Sequence, residues 1–422
     1  MTMKYRAPRG TRDILPEETW RWQLVERAFA ETARRFGYRE IRLPVFEQTE
    51  LFARGIGDAT DIVRKEMYSF QDRKGRDLTL RPEGTAGTVR AYIEHNMGSA
   101  ARVTKLRYFC PMFRYERPQA GRYRQFWQWG LEAIGSMSPS VDAEIIHFCV
   151  SFFETLGIKG AVARVNSAGC KTCTPAYNNT LREHLAPRLE EFCADCQERY
   201  ERNPRRMFDC KNETCLALLS DAPSILDSLC DECRAHFDSV LRFLERMSVE
   251  YDVDVGLARG LDYYTRTVFE VHYAGLGAQS ALCGGGRYDD LVEELGGGST
   301  PAVGVSAGVE RLMLAYESES DGGEAEPGPD VYIVAIGEEA ALEAAGLAAG
   351  LRGRWSVELD HQARSMKAQM REAGRLGARL AIIIGSDELE RRAASVKDME
   401  SGEQVETALD SIGEAVEERL GS

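Results

Sequence analysis

In this 422-residue chain, the segment RGLDYYTRTVFE, residues 259–270, brings together an arginine and two tyrosines that could bind a ligand. A turn at Gly260 precedes a strand-forming run and places the cation of Arg259 a few residues from the phenols of Tyr263 and Tyr264. A guanidinium binds carboxylate or phosphate through a fork of donors, and phenols both donate and accept hydrogen bonds. The segment suits a small polar ligand joined to a phosphate. Taken alone, it is equally compatible with a hairpin that carries surface charges.

A second segment, FRYERPQAGRYRQF at residues 113–126, has the pattern of strand, loop and strand. Residues 102–124 hold seven Lys or Arg and one acidic residue, in a chain of net charge −14. Such local basicity against an acidic background indicates an anionic ligand. The alternative is a solvated basic hairpin, which the aromatic surroundings of Arg114 and Glu116 disfavour.

Together with these two segments, further motifs resemble the histidyl-tRNA synthetases, a family of class II aminoacyl-tRNA synthetases. The resemblance covers nearly the whole chain. The additional motifs are RGTRDILP (9–16), a motif-1-like stretch (36–70), TLRPEGT (79–85), CGGGRYD (283–289) and a motif-3-like AVGVSAGVERL (302–312). The second segment, which resembles motif 2 of that class, and the motif-3-like stretch indicate only a class II synthetase. The segment from Arg259 to Tyr264 is the part that resembles the histidine-specific members.

The resemblance implies that the chain is a histidine–tRNA ligase that uses ATP with Mg²⁺, L-histidine and tRNA(His). It implies that Arg114 and Arg259 stabilise charge at the α-phosphate, that Arg311 lies toward the terminal phosphates and that Glu116 holds the adenine amine. Positive charge and alignment are what this reaction needs, because the attacking carboxylate is already ionised at pH 7.

The resemblance also implies a histidine pocket. Its members would be Glu83, Gly84 and Thr85 at the ammonium, Glu132 and Tyr264 at the imidazole ring, and Gln128 and Tyr263 completing the polar wall. A pocket of this kind rejects apolar side chains by leaving buried polar groups unpaired. Without the motif context, Glu83 and Glu132 would be taken for members of structural salt bridges. Trp127 and Trp129, which flank Gln128, depart from the family pattern in packing residues only.

In the loop of the second segment, Arg117 and Gln119 are expected to meet the acceptor end of tRNA. The alternative function is a non-catalytic binding protein, because a paralogue of this catalytic domain serves as the regulatory subunit of ATP phosphoribosyltransferase in histidine biosynthesis. The complete set of Arg114, Glu116, Arg259 and Arg311 favours the enzyme, since a regulator needs no complete ATP site.

Composition predicts a cytoplasmic protein that has no membrane partner. Hydrophobic residues make up 43% of the chain and charged residues 28%, and the longest aliphatic run, residues 380–384, is too short to span a bilayer. The charged N-terminus does not resemble a secretory signal. The acidic balance argues against non-specific nucleic-acid binding but leaves room for tRNA at local basic patches.

The fold class predicted is mixed α/β and α+β in several domains. Residues 1–316 are expected to form a class II catalytic domain with an antiparallel sheet, interrupted by a Cys-rich insertion at 167–248. Its last helix is expected to start near Gly304. Residues 317–329 are predicted to form a linker, because they are rich in acidic residues and glycine. Residues 330–422 alternate strands and helices, which predicts a mainly parallel sheet, and by resemblance this is the anticodon-binding domain.

The insertion contains eight cysteines in four close pairs, which are Cys170/Cys173, Cys193/Cys196, Cys210/Cys215 and Cys230/Cys233. These spacings occur in structural zinc sites, and eight thiolates could close two tetrahedral sites. The alternative is a set of buried or free thiols without metal, and the pattern does not say which pairs combine. The motif-1-like stretch with Pro44 predicts a homodimer, because in class II synthetases this motif packs against the same motif of the second subunit across a two-fold axis.

Overall fold

The computed structural model describes residues 5–57, 60, 62–117, 121–259, 263–319 and 326–421. The chain forms two compact units, Met1–Gly323 and Glu324–Ser422. No helix within these described ranges is both long and apolar enough to cross a membrane.

The first unit contains eleven strands among its described residues. They are β1 (Arg39–Glu40), β2 (Phe46–Gln48), β3 (Tyr68–Gln71), β4 (Asp77–Leu80), β5 (Thr104–Phe113), β6 (Gln125–Ile134), β7 (Val162–Ser167), β8 (Tyr251–Val253), β9 (Thr265–His272), β10 (Ala281–Arg287) and β11 (Ala302–Gly308).

Ten α-helices accompany them in the described part of this unit. They are α1 (Pro16–Arg35), α2 (Thr49–Ile56), α3 (Thr85–Glu94), α4 (Pro139–Thr155), α5 (Cys173–Leu185), α6 (Ala194–Arg202), α7 (Glu213–Leu218), α8 (Asp231–Arg246), α9 (Leu291–Glu294) and α10 (Val309–Glu319).

Eight strands form one sheet in the order β1-β5-β6-β11-β10-β9-β7-β8. The five central pairings are antiparallel, and only the outer pairs β1–β5 and β7–β8 are parallel. A separate antiparallel sheet has the order β2-β4-β3. The predicted class II fold with an antiparallel catalytic sheet is therefore confirmed.

Helices α1 and α4 cover one face of the large sheet. Helix α1 begins with Pro16, whose missing N–H costs nothing at a first helical position. Its buried residues Trp22, Val25 and Phe29 recur at helical spacing. Phe29 packs against Trp129 of β6, with ring centroids 5.4 Å apart, and the buried aromatic residues of α4 complete this core.

Between β7 and β8 the chain leaves the sheet and forms α5 to α8. Tyr177, Leu181, Leu185 and Met207 belong to a small separate core there. Helix α8 returns to the main body, where its Phe237 and Val240 join the core beneath the sheet. The Cys-rich segment is thus anchored at both of its ends to neighbouring strands, since β7 pairs with β8 in parallel.

The last helix of this unit is present, but its predicted start near Gly304 is wrong, because residues Ala302–Gly308 form β11 and α10 begins at Val309. Strand β11 lies between β6 and β10 in the middle of the sheet. Its small residues allow close approach there, since a Cβ on Gly304 would collide with the carboxylate of Glu132. Glycine is unfavourable in a strand interior, so the strand depends on its two neighbours rather than on local propensity.

The second unit contains, among its described residues, five strands and four α-helices. They are β12 (Val331–Ala335), α11 (Glu338–Leu351), β13 (Val357–Leu359), α12 (Met366–Arg375), β14 (Leu380–Ile384), α13 (Ser386–Glu390), β15 (Ala393–Asp398), β16 (Gln404–Ala408) and α14 (Ile412–Leu420).

The sheet of this unit has the order β13-β12-β14-β15-β16. The pairings of β12 with β13 and β14 are parallel, whereas β14–β15 and β15–β16 are antiparallel. The prediction of a mainly parallel sheet is therefore wrong for half of the pairings. It missed β15 and β16 because their residues are mostly small, polar or charged, which weakens the hydrophobic signal.

Candidate active site

A cleft of about 410 Å³ lies over the face of the large sheet opposite α1 and α4. Eight of the predicted site residues line it, and they come from segments far apart in the chain. These residues are Glu83, Arg114, Glu116, Gln128, Arg259, Tyr263, Tyr264 and Arg311. The sheet therefore brings both segments with which the sequence analysis began to one site.

Strand β6 shows how the sheet separates chemistry from packing. Side chains alternate across a strand, so Phe126 and Gln128 face the cleft while Trp127 and Trp129 face the helices. Trp129 is fully buried, and Trp127 packs edge-on against Trp22 of α1. The two tryptophans that depart from the family pattern therefore pack behind the site.

Arg259 is held in the cleft by an ion pair with Glu270 of β9 and lies 5.9 Å from the ring centroid of Tyr264. Two glycines of β10 make room for these side chains. A Cβ on Gly284 would collide with the Arg259 guanidinium, and a Cβ on Gly286 would lie 2.8 Å from the Tyr264 ring. Gly284 and Gly286 of the CGGGRYD motif, the glycine cluster, thus allow the side chains of Arg259 and Tyr264 to lie close to the backbone of β10.

Glu270 was not predicted from the sequence. A hydrogen bond with the His272 ring and the charge of Arg259 hold the pKa of the Glu270 carboxyl below its usual value, although burial opposes this. Glu270 is thus an anion that fixes Arg259. Its position two residues before His272 and on the same strand face was the available signal.

Glu83 lies at the start of α3, where its carboxylate accepts hydrogen bonds from the backbone N–H groups of Thr85 and Ala86, at 2.6 and 2.9 Å. The Thr85 hydroxyl in turn donates to Glu132 Oε1 at 2.7 Å. The structure therefore joins Glu83, Thr85 and Glu132, which lie up to 49 positions apart, in one hydrogen-bonded chain.

Glu132 is buried beneath the cleft and is not among the residues that line it. The hydroxyls of Tyr108 and Tyr288 also donate to its carboxylate. Burial raises the pKa of Glu132 to about 8, although the hydrogen bonds from Tyr288 and Thr85 oppose the shift. Burial likewise raises the pKa of Glu83 against its backbone hydrogen bonds. Two such carboxyls are unusual, because buried acids are costly in their charged form.

Gly84 and Thr85 are buried behind the same wall. A Cβ on Gly84 would overlap the ring of Tyr108, so glycine is required there for packing. Gln128 is 93% buried and faces the cleft, and its Oε1 has no hydrogen-bond partner among the described residues. A buried acceptor of this kind favours a ligand that donates a hydrogen bond.

The basic end of the cleft contains Arg114, Arg122 and Arg311. Arg114 Nε donates to Pro82 O at 2.8 Å, and its guanidinium lies 5.3 Å from the ring centroid of Phe126. Glu116 lies 3.9 Å from Arg114 and 3.6 Å from Arg122. Burial and the neighbouring Arg122 lower the pKa of Arg311. A concentration of guanidinium groups like this one suits an anionic ligand.

Several other residues of the predicted site and its motifs do not line the cleft or lie outside the described residues. Arg117 is exposed at the edge of the loop, and Gln119 lies outside the described residues, as does Gly260. Arg287, which follows the glycine cluster, is fully buried and bonded to Asp142, Asp289 and the carbonyl of Ser136. It is a structural residue and does not line the cleft.

The eight paired cysteines form two groups of four. The first comprises Cys170, Cys173, Cys230 and Cys233, and the second Cys193, Cys196, Cys210 and Cys215. We call them the outer and the inner cluster, because the first and last pairs enclose the other two in sequence. Within each cluster all sulfur atoms lie within 4.8 Å of one another.

The closest sulfur pairs match tetrahedral metal binding. The Sγ atom of Cys170 lies 3.6 Å from that of Cys173 and 3.9 Å from that of Cys230. The Sγ atoms of Cys193 and Cys210 are 3.8 Å apart. Four sulfurs at ~2.3 Å from a zinc ion are ~3.8 Å apart. Backbone N–H groups also point at sulfur, as from Cys230 to Cys173 at 3.1 Å. The donor set and its spacing therefore fit zinc.

Comparison with known proteins agrees with this architecture. The family model for histidyl-tRNA synthetase matches residues 10–312, and the model for an anticodon binding domain matches residues 330–419. A histidine–tRNA ligase from Caldanaerobacter subterraneus is 48% identical over 415 residues, covering 98% of this chain and all of that protein.

Among solved structures, apo histidyl-tRNA synthetase from S. aureus is 39% identical, with a TM-score of 0.83 over 98% of this chain and 99% of the other. A protein from Bacillus halodurans described as an ATP phosphoribosyltransferase regulatory subunit/histidyl-tRNA synthetase is 22% identical, with a TM-score of 0.66, covering 92% of this chain and all of the other. The second likeness shows the fold alone. The extent of the first matches favours the ligase over the regulatory alternative, and the chain belongs to the histidyl-tRNA synthetase family.

Proposed function

We propose that this histidine–tRNA ligase activates L-histidine with ATP and transfers it to tRNA(His) through the residues of the cleft over the large sheet. The observation that carries the proposal is that four guanidinium groups and a polar wall with an acceptor unpartnered among the described residues line the same 410 Å³ space. One part suits phosphates and the other suits a small amino acid.

In the first step the histidine carboxylate attacks the α-phosphate and pyrophosphate leaves. No general base is needed, because a carboxylate is ionised at neutral pH. Arg259 and Arg114 would stabilise the charge that develops at the α-phosphate, and Arg311 would bind the terminal phosphates. Glu116 would accept a hydrogen bond from the adenine amine. Mg²⁺ would enter with ATP and neutralise phosphate charge.

The polar wall would bind histidine. Glu83, Gly84 and Thr85 form the helix start that we assign to the ammonium group, and Gln128 Oε1 supplies a further acceptor there. Tyr264 would contact the imidazole ring, with Tyr263 beside it, and the two tyrosine rings are 4.7 Å apart. Glu132, which lies beneath the cleft, would read the ring through the hydroxyls that surround its carboxylate. Because burial favours the protonated form of Glu132, its ionisation on binding imidazole would couple recognition to pH.

We assign tRNA binding to three parts of the chain: the insertion at 167–248, the loop with Arg117 and Gln119, and residues 330–422. Residues 1–316 would catalyse both steps. The insertion would lie beside the acceptor arm, and Arg117 and Gln119 would contact the acceptor end. Residues 317–329 would link this part to residues 330–422, which would read the anticodon. Replacing Arg117 and Gln119 by Ala should impair transfer to tRNA more than adenylate formation, and equal losses in both steps would contradict this role.

We further propose a homodimer built on the small sheet of β2, β3 and β4. Phe46 and Phe70 form an edge-on pair on this sheet, 6.2 Å apart, yet they are 51% and 44% exposed. Exposed aromatic pairs of this kind are typical of protein interfaces. Light scattering should give twice the mass of the chain, and an active monomer would contradict the proposal.

The outer and inner clusters would each hold one zinc ion, which would supply a structural crosslink and take no part in the reaction. In a reducing cytoplasm, the compartment predicted from the sequence, thiolates remain available for metal. Metal analysis of protein purified without chelator should give two zinc ions per chain.

The central test is ATP–pyrophosphate exchange measured with each of the twenty amino acids. Exchange should depend on histidine and should be absent with phenylalanine and leucine, because neither side chain can pair with the buried polar groups of the wall. A regulatory protein would bind histidine without any exchange. That result would overturn the catalytic proposal.

A further inference from the structure

The outer cluster lies directly beside β9, the strand that follows the proposed histidine-reading residues Tyr263 and Tyr264. Two backbone hydrogen bonds join the residues just before Cys170 to the start of β9, from Ala168 N to Arg266 O at 2.5 Å and from Arg266 N to Gly169 O at 2.7 Å. They extend the β7–β9 ladder by one step beyond the Ser167–Thr267 pair. Arg266 is only two residues from Tyr264.

These bonds hold Arg266 in an uncommon conformation. Its φ is +51°, in the left-handed region that residues other than glycine seldom adopt. Such a conformation persists only where the surrounding structure determines it. Here Ala168 and Gly169 supply that constraint. Gly169 is itself packed against the cluster, since an added Cβ would lie 2.9 Å from Cys173 Cβ.

Charged side chains connect the same elements. Glu232, which lies between Cys230 and Cys233, is 3.6 Å from the Arg266 guanidinium, and Arg266 is also 3.6 Å from Asp289. Lys171, between Cys170 and Cys173, pairs with Asp290 at 2.8 Å. Both cysteine-bearing loops of the outer cluster therefore contact the catalytic sheet where β9 begins and just after β10 ends.

The inner cluster is linked to the catalytic unit through side chains near its cysteines: Glu198 of α6 pairs with Arg64 at 3.3 Å, and Arg205 donates to Ala168 O at 3.0 Å. The hydrogen bonds of residues 192–197 and 210–216 stay within the insertion. Two clusters with the same ligands thus differ in their relation to the active site.

We propose that the outer cluster, when it holds its metal, positions Tyr263 and Tyr264 and so sets the affinity for histidine, whereas the inner cluster, which no backbone hydrogen bond joins to β9 among the described residues, affects it less. The inference rests on the proposed zinc sites and on the proposed histidine-binding wall. A metal bound by Cys170, Cys173, Cys230 and Cys233 fixes the loop at 168–170, that loop fixes the backbone of Arg266, and Arg266 fixes the direction in which the chain enters β9. Without the metal, Arg266 is free to leave the left-handed region.

The first experiment compares Cys170→Ser with the matched variant Cys193→Ser in the full-length protein. Zinc content, the Kd for histidine by calorimetry and the KM for ATP are measured for both. Each variant should hold one zinc ion in place of two. Cys170→Ser should weaken histidine binding ~10–100-fold, because displacing a binding group by ~1 Å costs about that much. Cys193→Ser should change it less than ~3-fold, because the segments that carry the inner cysteines make no backbone hydrogen bond to β9 among the described residues. The KM for ATP should change little in both.

A second pair of variants leaves every thiol in place and guards against misfolding of the serine variants. Arg266→Gly accepts a φ of +51° without strain, whereas the β-branched side chain of Arg266→Val does not. Both should keep two zinc ions. Arg266→Val should weaken histidine binding ~10-fold or more relative to Arg266→Gly, because both variants lose the ion pairs with Glu232 and Asp289 and only Val strains the backbone.

The outcomes separate the proposals. Two zinc ions in the natural protein with equal histidine affinity in Cys170→Ser and Cys193→Ser would overturn the coupling and leave the metal sites standing. Absence of zinc from the natural protein would overturn the metal sites and, with them, this inference. Histidine binding without pyrophosphate exchange would overturn the catalytic proposal alone. If the outer cluster were merely structural, Cys170→Ser would lower the Tm and leave the Kd for histidine unchanged, which would overturn the coupling.

Discussion

The two faces of strand β6 perform different work with residues that are adjacent in sequence. On the face toward the helices, Trp129 and Leu131 are fully buried among aromatic and aliphatic side chains. On the opposite face, Gln128 lines the cleft with an unpartnered acceptor among the described residues, and Glu132 is surrounded by hydroxyls. Because successive side chains of a strand point to opposite faces, one face of β6 contributes to stability and the other to ligand binding. Substitutions at neighbouring positions should therefore change either the free energy of unfolding or the binding of substrate, but not both.

The largest effect is expected on the core face. Trp129→Ala removes a fully buried ring that touches Phe29 and Phe152 at centroid distances of 5.4 Å each. The free energy of unfolding should fall by ~3–5 kcal/mol. Urea unfolding measures it, with Met137→Ala, at a residue 45% exposed, as the control. Pyrophosphate exchange per folded molecule should stay near normal, and a large loss there would contradict the separation of the two faces.

On the cleft side the largest effect is expected from Arg259→Ala. This change removes a preorganised charge from the α-phosphate, so exchange should slow by ~10²–10³-fold, equal to ~2.7–4 kcal/mol. The unfolding midpoint should change little by comparison. Arg34→Ala, at an exposed arginine paired only with Glu31 among the described residues, is the matched control. A rate of ATP–pyrophosphate exchange close to that of the natural protein would contradict the role of Arg259 at the α-phosphate.

A smaller effect is expected from Gln128→Met, which keeps the length of the side chain and removes the acceptor. The KM for histidine should rise ~10–100-fold, because a hydrogen bond to a charged group is worth ~1.5–3 kcal/mol. The KM for ATP should hardly move. Gln125→Met, at the exposed start of the same strand, is the control. If both variants bind histidine equally well, Gln128 does not belong to the pocket.

The smallest effect is a change in pH dependence. The folded-state pKa of Glu132 is about 8, above its ordinary value near 4.5, so the folded protein binds more protons between these values and loses stability as pH rises through that window. Glu132→Gln mimics the protonated acid and should flatten this loss. Unfolding midpoints at pH 5.5 and 8 should differ less in the variant than in the natural protein. An unchanged difference, as expected for the exposed control Glu154→Gln, would show that Glu132 is ionised in the fold.

Much of the fold could be predicted from the sequence because its signals are local. The apolar spacing of α1 and α4, the paired aromatic runs of β5 and β6, and the alternation of β12, α11, β13, α12 and β14 are all properties of short windows. The prediction failed for β11, β15 and β16. Their small or polar residues form strands because neighbouring strands supply hydrogen-bond partners, which no local window contains.

Residue types and spacing by themselves determined which side chains could do chemistry: the arginines, the tyrosine pair, the RPEGT turn and the eight cysteines. Tertiary structure alone decided how they combine. It paired the first cysteine pair with the last, joined Glu270 to Arg259, and buried Glu132 beneath three hydroxyls. The physical reason is that charge and ligand chemistry belong to a residue, whereas burial, pKa and coordination depend on partners that folding brings from distant parts of the chain.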